Sequence, residues 1–180
     1  MRAATATLVT VTSALTLVVS GPAAPASAGV LDVTCIPPSS QSATYTPPLT
    51  ATSQNVTVSV TTQYGPCASL SNPAITSGSR TRTLSSPGLS CLDLLGSGST
   101  TFTITWNTGQ TSTVASNFTA TTVGAALVVT DTGTVTSGLF TGSTVVQTLT
   151  GPAADVLLCT AGLGTVSGIY AAATLEITSP

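Results

Sequence analysis

The chain has 180 residues and few charged side chains: three Lys or Arg, five Asp or Glu and no His give a formal net charge of −2. All three basic residues are Arg, so the clustered cations that neutralise nucleic-acid phosphates are missing. The absence of His and Lys excludes Ser-His-Asp and Ser-Lys nucleophiles and Schiff-base chemistry. The Gly-rich phosphate-binding motifs that contain Lys are also missing, and we expect no cofactor.

The first 28 residues have the pattern of a secretory signal peptide. Arg2 supplies a positive charge, an apolar and Thr-rich run extends through Val19, and Ala26 and Ala28 stand where a signal peptidase cleaves. The prediction is a signal peptide at 1–28, followed by a single secreted β domain at 29–180. No later stretch of about 20 apolar residues predicts a membrane span, and we expect an extracellular protein of bacterial origin.

Eight β-strands are predicted, because Thr and Ser alternate with β-branched and aromatic residues in segments such as NVTVSV and TFTITW. The strands are expected near residues 43–50, 55–65, 79–85, 100–106, 112–119, 125–136, 143–150 and 164–177. No stretch sustains a helical period, although the segment CLDLLG has the length of a single helical turn. This spacing predicts an all-β fold: an antiparallel β-sandwich, immunoglobulin-like or of a related Greek-key type, with a β-barrel as the alternative.

Four cysteines in a secreted chain predict two disulfides. Suppose that the first two predicted strands form a hairpin that turns near residues 51–52. If its pairing register continues outward, Cys35 and Cys67 lie nearly opposite each other. This favours a Cys35–Cys67 pair and leaves Cys91 to pair with Cys159. The wide spacing of the cysteines and the lack of His provide no compact ligand set, so no metal site is predicted.

The only tryptophan, Trp106, ends the predicted strand TFTITW. A three-residue loop after Asn107 would place Trp106 opposite Ser112 and Ile104 opposite Val114, which keeps the apolar residues of both strands on one face. Gly109 would supply a left-handed loop residue. Trp106 is then predicted on the core-facing side at the rim, where packing is the favoured role and a ligand contact is the alternative.

Acidic residues are the remaining candidates for catalysis. The triplet DTG at 131–133 is similar to the catalytic triplet of aspartic proteases, which requires two aspartates that share a proton, but the chain has a single copy. A glycosidase requires two carboxylates across a cleft. Asp93, Asp155 and Glu176 are available, but no pattern brings any two of them together, so no catalytic residue is predicted.

Two arginines, Arg80 and Arg82, alternate with Thr in the segment SRTRT. In a strand, both side chains project from the same face. We interpret them as charges that protect an edge strand from aggregation, with binding of an anionic ligand as the alternative.

Several short motifs together resemble one group of proteins. They are VTC, ATYTPPLT, YGPC, PGLSCLDLL, TWNTGQTST, GTVTSGLFTGSTVVQ and LLC. In this order they resemble small secreted four-cysteine β proteins of actinobacteria, over residues 33–177. The resemblance implies secretion, one domain and paired cysteines, and it implies no catalytic residue. In composition the chain is also similar to the secreted enediyne-binding apoproteins, which are acidic immunoglobulin-like sandwiches with two disulfides, and this similarity implies a cleft for a small ligand.

These observations favour a secreted, non-enzymatic β-sandwich that acts as a structural or interaction module with an extracellular or cell-envelope partner. The alternative is a protein that binds a carbohydrate or another small ligand. For that role the aromatic candidates are Trp106, Tyr45, Tyr64 and Tyr170, which are too scattered to predict a row. A carboxylate-dependent hydrolase is the third hypothesis.

Overall fold

The computed structural model describes residues 31–180, and the predicted signal peptide lies outside the described residues. Within that range the strands are β1 (Leu31–Cys35), β2 (Ser40–Leu49), β3 (Gln54–Tyr64), β4 (Cys67–Ala68), β5 (Gly78–Leu89), β6 (Ser97–Trp106), β7 (Thr111–Val123), β8 (Ala126–Gly138), β9 (Thr144–Pro152) and β10 (Val166–Thr178). A 3₁₀ helix covers Cys91–Leu95, and helix α1 covers Ala154–Thr160. No helix of the described range has the length and apolar character needed to cross a membrane.

The fold is a closed antiparallel β-barrel, so the preferred sequence prediction of a sandwich was wrong and the stated alternative is correct. Eight strands follow one another in the order β2-β3-β5-β6-β7-β8-β9-β10. Strand β10 pairs with β9 along one edge and with β2 along the other, for example Ala173 opposite Leu149 and Ile169 opposite Ala43. Because β10 joins the two ends of the sheet, residues 31–180 form no second sheet of the kind that a sandwich stacks on the first.

Each of the eight predicted strands corresponds to one strand of the barrel, and the helical turn suggested for CLDLLG is the 3₁₀ helix. The sequence did not predict β1, β4 or α1. Strand β1 pairs with β10 beyond the end of β2, and β4 pairs with β1. These two short strands therefore extend the barrel wall at one end.

The β6–β7 hairpin has the predicted odd loop but a different register. The backbone N–H of Trp106 donates to the carbonyl oxygen of Gln110 at 2.8 Å, and Ile104 lies opposite Ser112, two positions from its predicted partner. Gly109 has φ +82° and becomes the last residue of the three-residue loop, where such hairpins place a left-handed residue. A shift of two positions preserves the face of the strand, so Trp106 still points inward.

The interior of the barrel is apolar at both ends and polar between them. One apolar cluster contains Val33, Cys35, Tyr64, Ile75, Phe102, Ile104, Trp106, Val114, Val135, Val145, Leu175 and Ile177. The cluster at the opposite end contains Ala43, Tyr45, Leu49, Val56, Cys91, Leu127, Ala153, Val156, Cys159 and Val166. On β9 the inward side chains are Val145, Gln147 and Leu149, and Gln147 is 0% exposed. A polar layer therefore crosses the barrel between the two clusters.

The two disulfides are Cys35–Cys67 and Cys91–Cys159, the pairs that the sequence favoured. The first links β1 to β4, whose cysteines are directly opposed in the ladder. The second links the 3₁₀ helix to α1, and these two helices contact each other over one end of the barrel. Paired cysteines are compatible with a secreted protein.

Candidate ligand-binding cavity

Strands β5 and β6 form the weakest seam of the barrel. Among the described residues they pair only at Gly78 with Trp106 and at Ser79 with Thr105, whereas β6 pairs with β7 along nearly its whole length. Beyond this short ladder, Arg82 of β5 spans the seam. Its Nη1 donates to Thr100 Oγ1 at 3.3 Å and makes a longer contact of 3.5 Å with the Thr101 carbonyl oxygen.

A cavity of about 350 Å³ opens behind this seam, inside the barrel. Its walls are mostly apolar. The lining residues are Gln41, Tyr45, Val58, Val60, Arg80, Arg82, Leu84, Ser86, Leu89, Asp93, Leu94, Thr100, Phe102, Phe118, Ala120, Val129, Asp131 and Leu149. Eight-stranded barrels have an interior just wide enough for packed side chains or one small ligand, and this cavity has the size of a small-molecule site.

The 3₁₀ helix closes the cavity at the capped end of the barrel. Ser90 donates from its backbone N–H and from its hydroxyl to Asp93 Oδ2, each at 2.7 Å, which fixes the first turn of this helix. These hydrogen bonds lower the pKa of Asp93, and the one from the Ser90 side chain has the largest effect. Leu94 lines the cavity, and it also lines a side chamber of about 90 Å³ that shares Tyr45 and Val129 with the cavity.

Arg80 enters the cavity from β5, at the polar layer. Its Nε donates to Thr62 Oγ1 at 2.9 Å, and its Nη2 donates to Gln41 Oε1 at 2.6 Å. The guanidinium carbon lies 3.9 Å from the centroid of the Phe102 ring, in a cation–π contact. Arg80 is therefore an interior residue with a fixed orientation, and it does not have the outward role at a strand edge that the sequence analysis favoured.

Asp131 enters the same cavity from β8. Gln147 Nε2 donates to Asp131 Oδ2 at 3.0 Å, and the Ser116 hydroxyl lies 3.5 Å from Oδ1. The Tyr64 hydroxyl donates to Gln147 Oε1, which connects the carboxylate to β3. The polar layer is thus built from Arg80 with its two acceptors on one side and from Asp131 with its two donors on the other.

Burial controls protonation in and around this layer. Burial raises the pKa of Asp131, although attraction to Arg80 and the hydrogen bonds from Ser116 and Gln147 oppose the shift. Burial also raises the pKa of Tyr64 to about 12, partly offset by Arg80, and raises that of Tyr45 to about 12. Both tyrosines therefore stay neutral over the whole physiological range.

Trp106, the predicted candidate for a ligand contact, is 2% exposed and does not line the cavity. Its ring packs against Gly78 of the opposing strand, where an added Cβ would come within 2.8 Å of the indole. It also meets Phe140 edge to face, with the ring centroids 5.9 Å apart. This placement favours the packing role for Trp106 over the ligand contact.

The acidic candidates separate into two groups. Asp131 is buried and Asp93 is exposed, and both line the cavity, whereas Asp155 and Glu176 lie away from it, exposed on α1 and on the outer face of β10. The DTG triplet lies within β8 with Asp131 inward. At Gly133 of this triplet an added Cβ would come within 2.1 Å of the Ala115 carbonyl oxygen, so the glycine permits close approach of β7.

Sequence reasoning missed four residues of the polar layer: Gln41, Thr62, Ser116 and Gln147. Each occupies an inward position of a strand whose other inward residues are largely apolar. Such a polar residue on the apolar face of a strand needs partners inside the barrel. This alternation was the signal in the sequence that would have identified the layer.

A second, shallower groove of about 450 Å³ lies beside the seam. Its lining residues are Arg82, Ser99, Thr100, Thr101, Ala115, Ser116 and Asn117. The lining lacks aromatic and large apolar side chains, so it provides less of the apolar contact that dominates small-molecule sites. The interior cavity is the stronger candidate.

Comparison with protein-family models, with curated proteins and with solved structures gives no match for this chain. The geometry of the cavity is therefore the basis on which its function is inferred.

Proposed function

We propose that this protein is a secreted, non-enzymatic binding protein that takes a small, mainly apolar ligand into the barrel cavity. The observation that carries the proposal is the cavity of about 350 Å³. It combines apolar walls with fixed polar side chains at the end of the cavity that meets the polar layer. Large apolar contact with a few oriented polar groups is the usual composition of a small-molecule site. The cavity thus favours the ligand-binding hypothesis over the structural module that the sequence put first.

The hydrogen bonds of the two cavity carboxylates support a non-enzymatic role. Asp131 accepts from Gln147, and Asp93 accepts twice from Ser90 at the start of the 3₁₀ helix. Hydrolysis of a glycoside requires one carboxyl group to act as an acid and a second as a base or nucleophile. Carboxylates that serve as hydrogen-bond acceptors for the fold are better suited to structure and recognition.

Dye binding tests the proposal. The neutral dye N-phenyl-1-naphthylamine, whose emission rises in apolar surroundings, should bind the folded protein with one site per chain. Ala120 lines the cavity, and Thr119 is exposed on the other face of the same strand. Ala120→Phe should fill the cavity and reduce dye binding at least about tenfold, whereas Thr119→Phe should leave it unchanged.

Two results would contradict the proposal. One is a folded wild-type protein that gives no dye signal, and the other is equal dye binding by the two Phe variants. Circular dichroism of each variant would check that the barrel is intact before the titrations are compared.

A second candidate function, an interaction module for an extracellular or cell-envelope partner, is favoured by exposed leucines on and near the helical cap. Leu92, Leu157, Leu158 and Leu163 are between 43% and 76% exposed. Exposed apolar patches of this kind often mark protein contacts. Pull-downs from cell-envelope extracts should then lose a specific partner when Leu158→Ser and Leu163→Ser are combined, and recovery of the same proteins by both forms would argue against this candidate.

A further inference from the structure

We propose that the ligand of the barrel cavity carries a carboxylate that binds the guanidinium of Arg80, while its apolar body extends toward the 3₁₀ helix. This inference rests on the proposed function and specifies the chemical class of the ligand. It follows from the direction in which Arg80 is held, from the N–H groups that it leaves available and from the apolar walls beyond it.

Arg80 is oriented before any ligand arrives. Thr62 Oγ1 accepts the Nε proton, and Gln41 Oε1 accepts one Nη2 proton. The guanidinium also packs over the Phe102 ring. A long side chain normally loses rotamer freedom when it binds. Here the fold has already removed that freedom, so a ligand would meet an anchor that is preorganised.

The guanidinium retains unused donors. An arginine side chain has five N–H groups. Among the described residues, neither the two N–H groups on Nη1 nor the second one on Nη2 has an acceptor. One N–H on each terminal nitrogen is what a carboxylate needs for bidentate binding. The acceptors Thr62 and Gln41 are both neutral, so no carboxylate of the described residues is hydrogen-bonded to the guanidinium.

The walls of the cavity define the other end of the ligand. Beyond the polar layer lie Val60, Leu84, Leu89, Leu94 and Val129. These side chains provide apolar surface and no hydrogen-bonding group. A ligand that fits both ends therefore has one acidic head and one small apolar body.

Asp131 makes the affinity for a carboxylate ligand dependent on pH. The charged or titratable groups around its carboxylate are Arg80 from β5 and Tyr64 from β3, and its partners on β7 and β9 are the neutral Ser116 and Gln147. A ligand carboxylate at Arg80 adds a second negative charge near Asp131. Binding is then coupled to uptake of a proton from solvent by Asp131, and affinity rises as the pH falls.

Competition against bound N-phenyl-1-naphthylamine tests the inference with three probes of equal chain length: octanoate, octanol and octylamine. Wild-type protein at pH 7 should bind octanoate about 10- to 100-fold more tightly than octanol, as expected for hydrogen bonds to charged groups, and octylamine most weakly. Octanoate binding should tighten as the pH is lowered from neutrality, over the range in which its own carboxyl group remains ionised.

Variants separate the anchor from the apolar walls. Arg80→Met keeps the length of the side chain and removes the charge, so octanoate should lose its preference and bind no more tightly than octanol. Arg80→Lys restores the charge without the planar fork and should recover part of the preference. Asp131→Asn should bind octanoate more tightly than wild type and should lose the pH dependence.

The outcomes distinguish the two proposals. Equal displacement by octanoate and octanol in the wild type would overturn the carboxylate inference and leave the ligand-binding proposal standing. Dye that fails to bind at all would overturn both. If Arg80→Met does not fold, the wild-type ranking of the three probes still tests for the acidic head, and Arg80→Lys tests whether Arg80 binds it rather than Arg82, which lines the same cavity.

Discussion

The indole Nε1 of Trp106 donates a hydrogen bond to the hydroxyl oxygen of Ser112 at 2.8 Å. The Ser112 hydroxyl in turn donates to the carbonyl oxygen of Leu139 at 2.6 Å, in the loop between β8 and β9. The indole N–H of the only tryptophan therefore has its acceptor inside the core, and the two hydrogen bonds connect two hairpins. This arrangement identifies Trp106 as a structural residue at the end of the barrel remote from the helical cap.

Removal of the Ser112 hydroxyl should destabilise the fold. Ser112→Ala leaves the buried indole N–H without its acceptor, and the free energy of unfolding should fall by about 1–3 kcal/mol. Urea denaturation followed by Trp106 emission measures the change. Thr111→Ala, at an exposed neighbouring position, should stay within about 0.5 kcal/mol of wild type, and equal effects of the two changes would refute the role assigned to Ser112.

A side chain at position 78 should disturb the packing of Trp106. In Gly78→Ala the new Cβ would lie 2.8 Å from indole Cε3 and 3.0 Å from Ile104 Cγ2, and overpacking of this kind costs about 1–3 kcal/mol. Gly96→Ala is the matched control, because its Cβ meets only the Asp93 carbonyl oxygen at 3.4 Å. Thermal unfolding should show a lower Tm for Gly78→Ala alone; unchanged stability would mean that the indole can move aside.

The two disulfides should differ in their effect on the cavity. Their sequence separations of 32 and 68 residues imply that each contributes about 4 kcal/mol through the unfolded chain. The double change Cys91→Ala with Cys159→Ala also releases the helical cap and should weaken binding of N-phenyl-1-naphthylamine. Cys35→Ala with Cys67→Ala should lower the Tm without altering dye affinity in the protein that remains folded, and a parallel loss of dye binding would contradict this division.

Alkaline pH should destabilise the protein through its buried phenols. Tyr45 and Tyr64 each have a pKa raised by burial to about 12, so folding favours their protonated form. Their stabilising contribution is complete below pH 10 and is lost between about pH 10 and 12, at about 1.4 kcal/mol per pH unit for each residue. Tyr45→Phe should make this slope about half as steep in urea titrations, and an unchanged slope would argue against the burial of Tyr45.

The strands were predictable from sequence, but the closure of the barrel was not. Alternation of Thr with apolar residues identifies a half-buried strand equally well in a sandwich and in a barrel, and it does not specify which strand pairs with β10. The register of the β6–β7 hairpin was missed because Asn107 contacts another segment. Its side chain accepts from the backbone N–H groups of Thr76 and Ser77 and donates to the Ala74 carbonyl oxygen, so it leaves the ladder.

The cavity was only partly predictable. Arg80, Arg82 and Asp131 were recognised as unusual residues, but whether they share one cavity depends on contacts between distant strands. Helix α1 was missed because it is short and buries only Val156 and Cys159, while its two leucines remain exposed. Local periodicity carries little information about such a cap, since its position is set by the Cys91–Cys159 bond and by packing against the 3₁₀ helix.

The short ladder between β5 and β6 makes the barrel mechanically uneven. Separation of β7 from β8 breaks a ladder that runs from Ser112 to Val123, whereas separation of β5 from β6 breaks two residue pairs and the Arg82 bridge. We expect amide protons of β6 that face β5 to exchange with solvent before those of the β7–β8 ladder. Local breathing of this seam, with the helical cap and its disulfide still closed, would then set how fast a ligand exchanges.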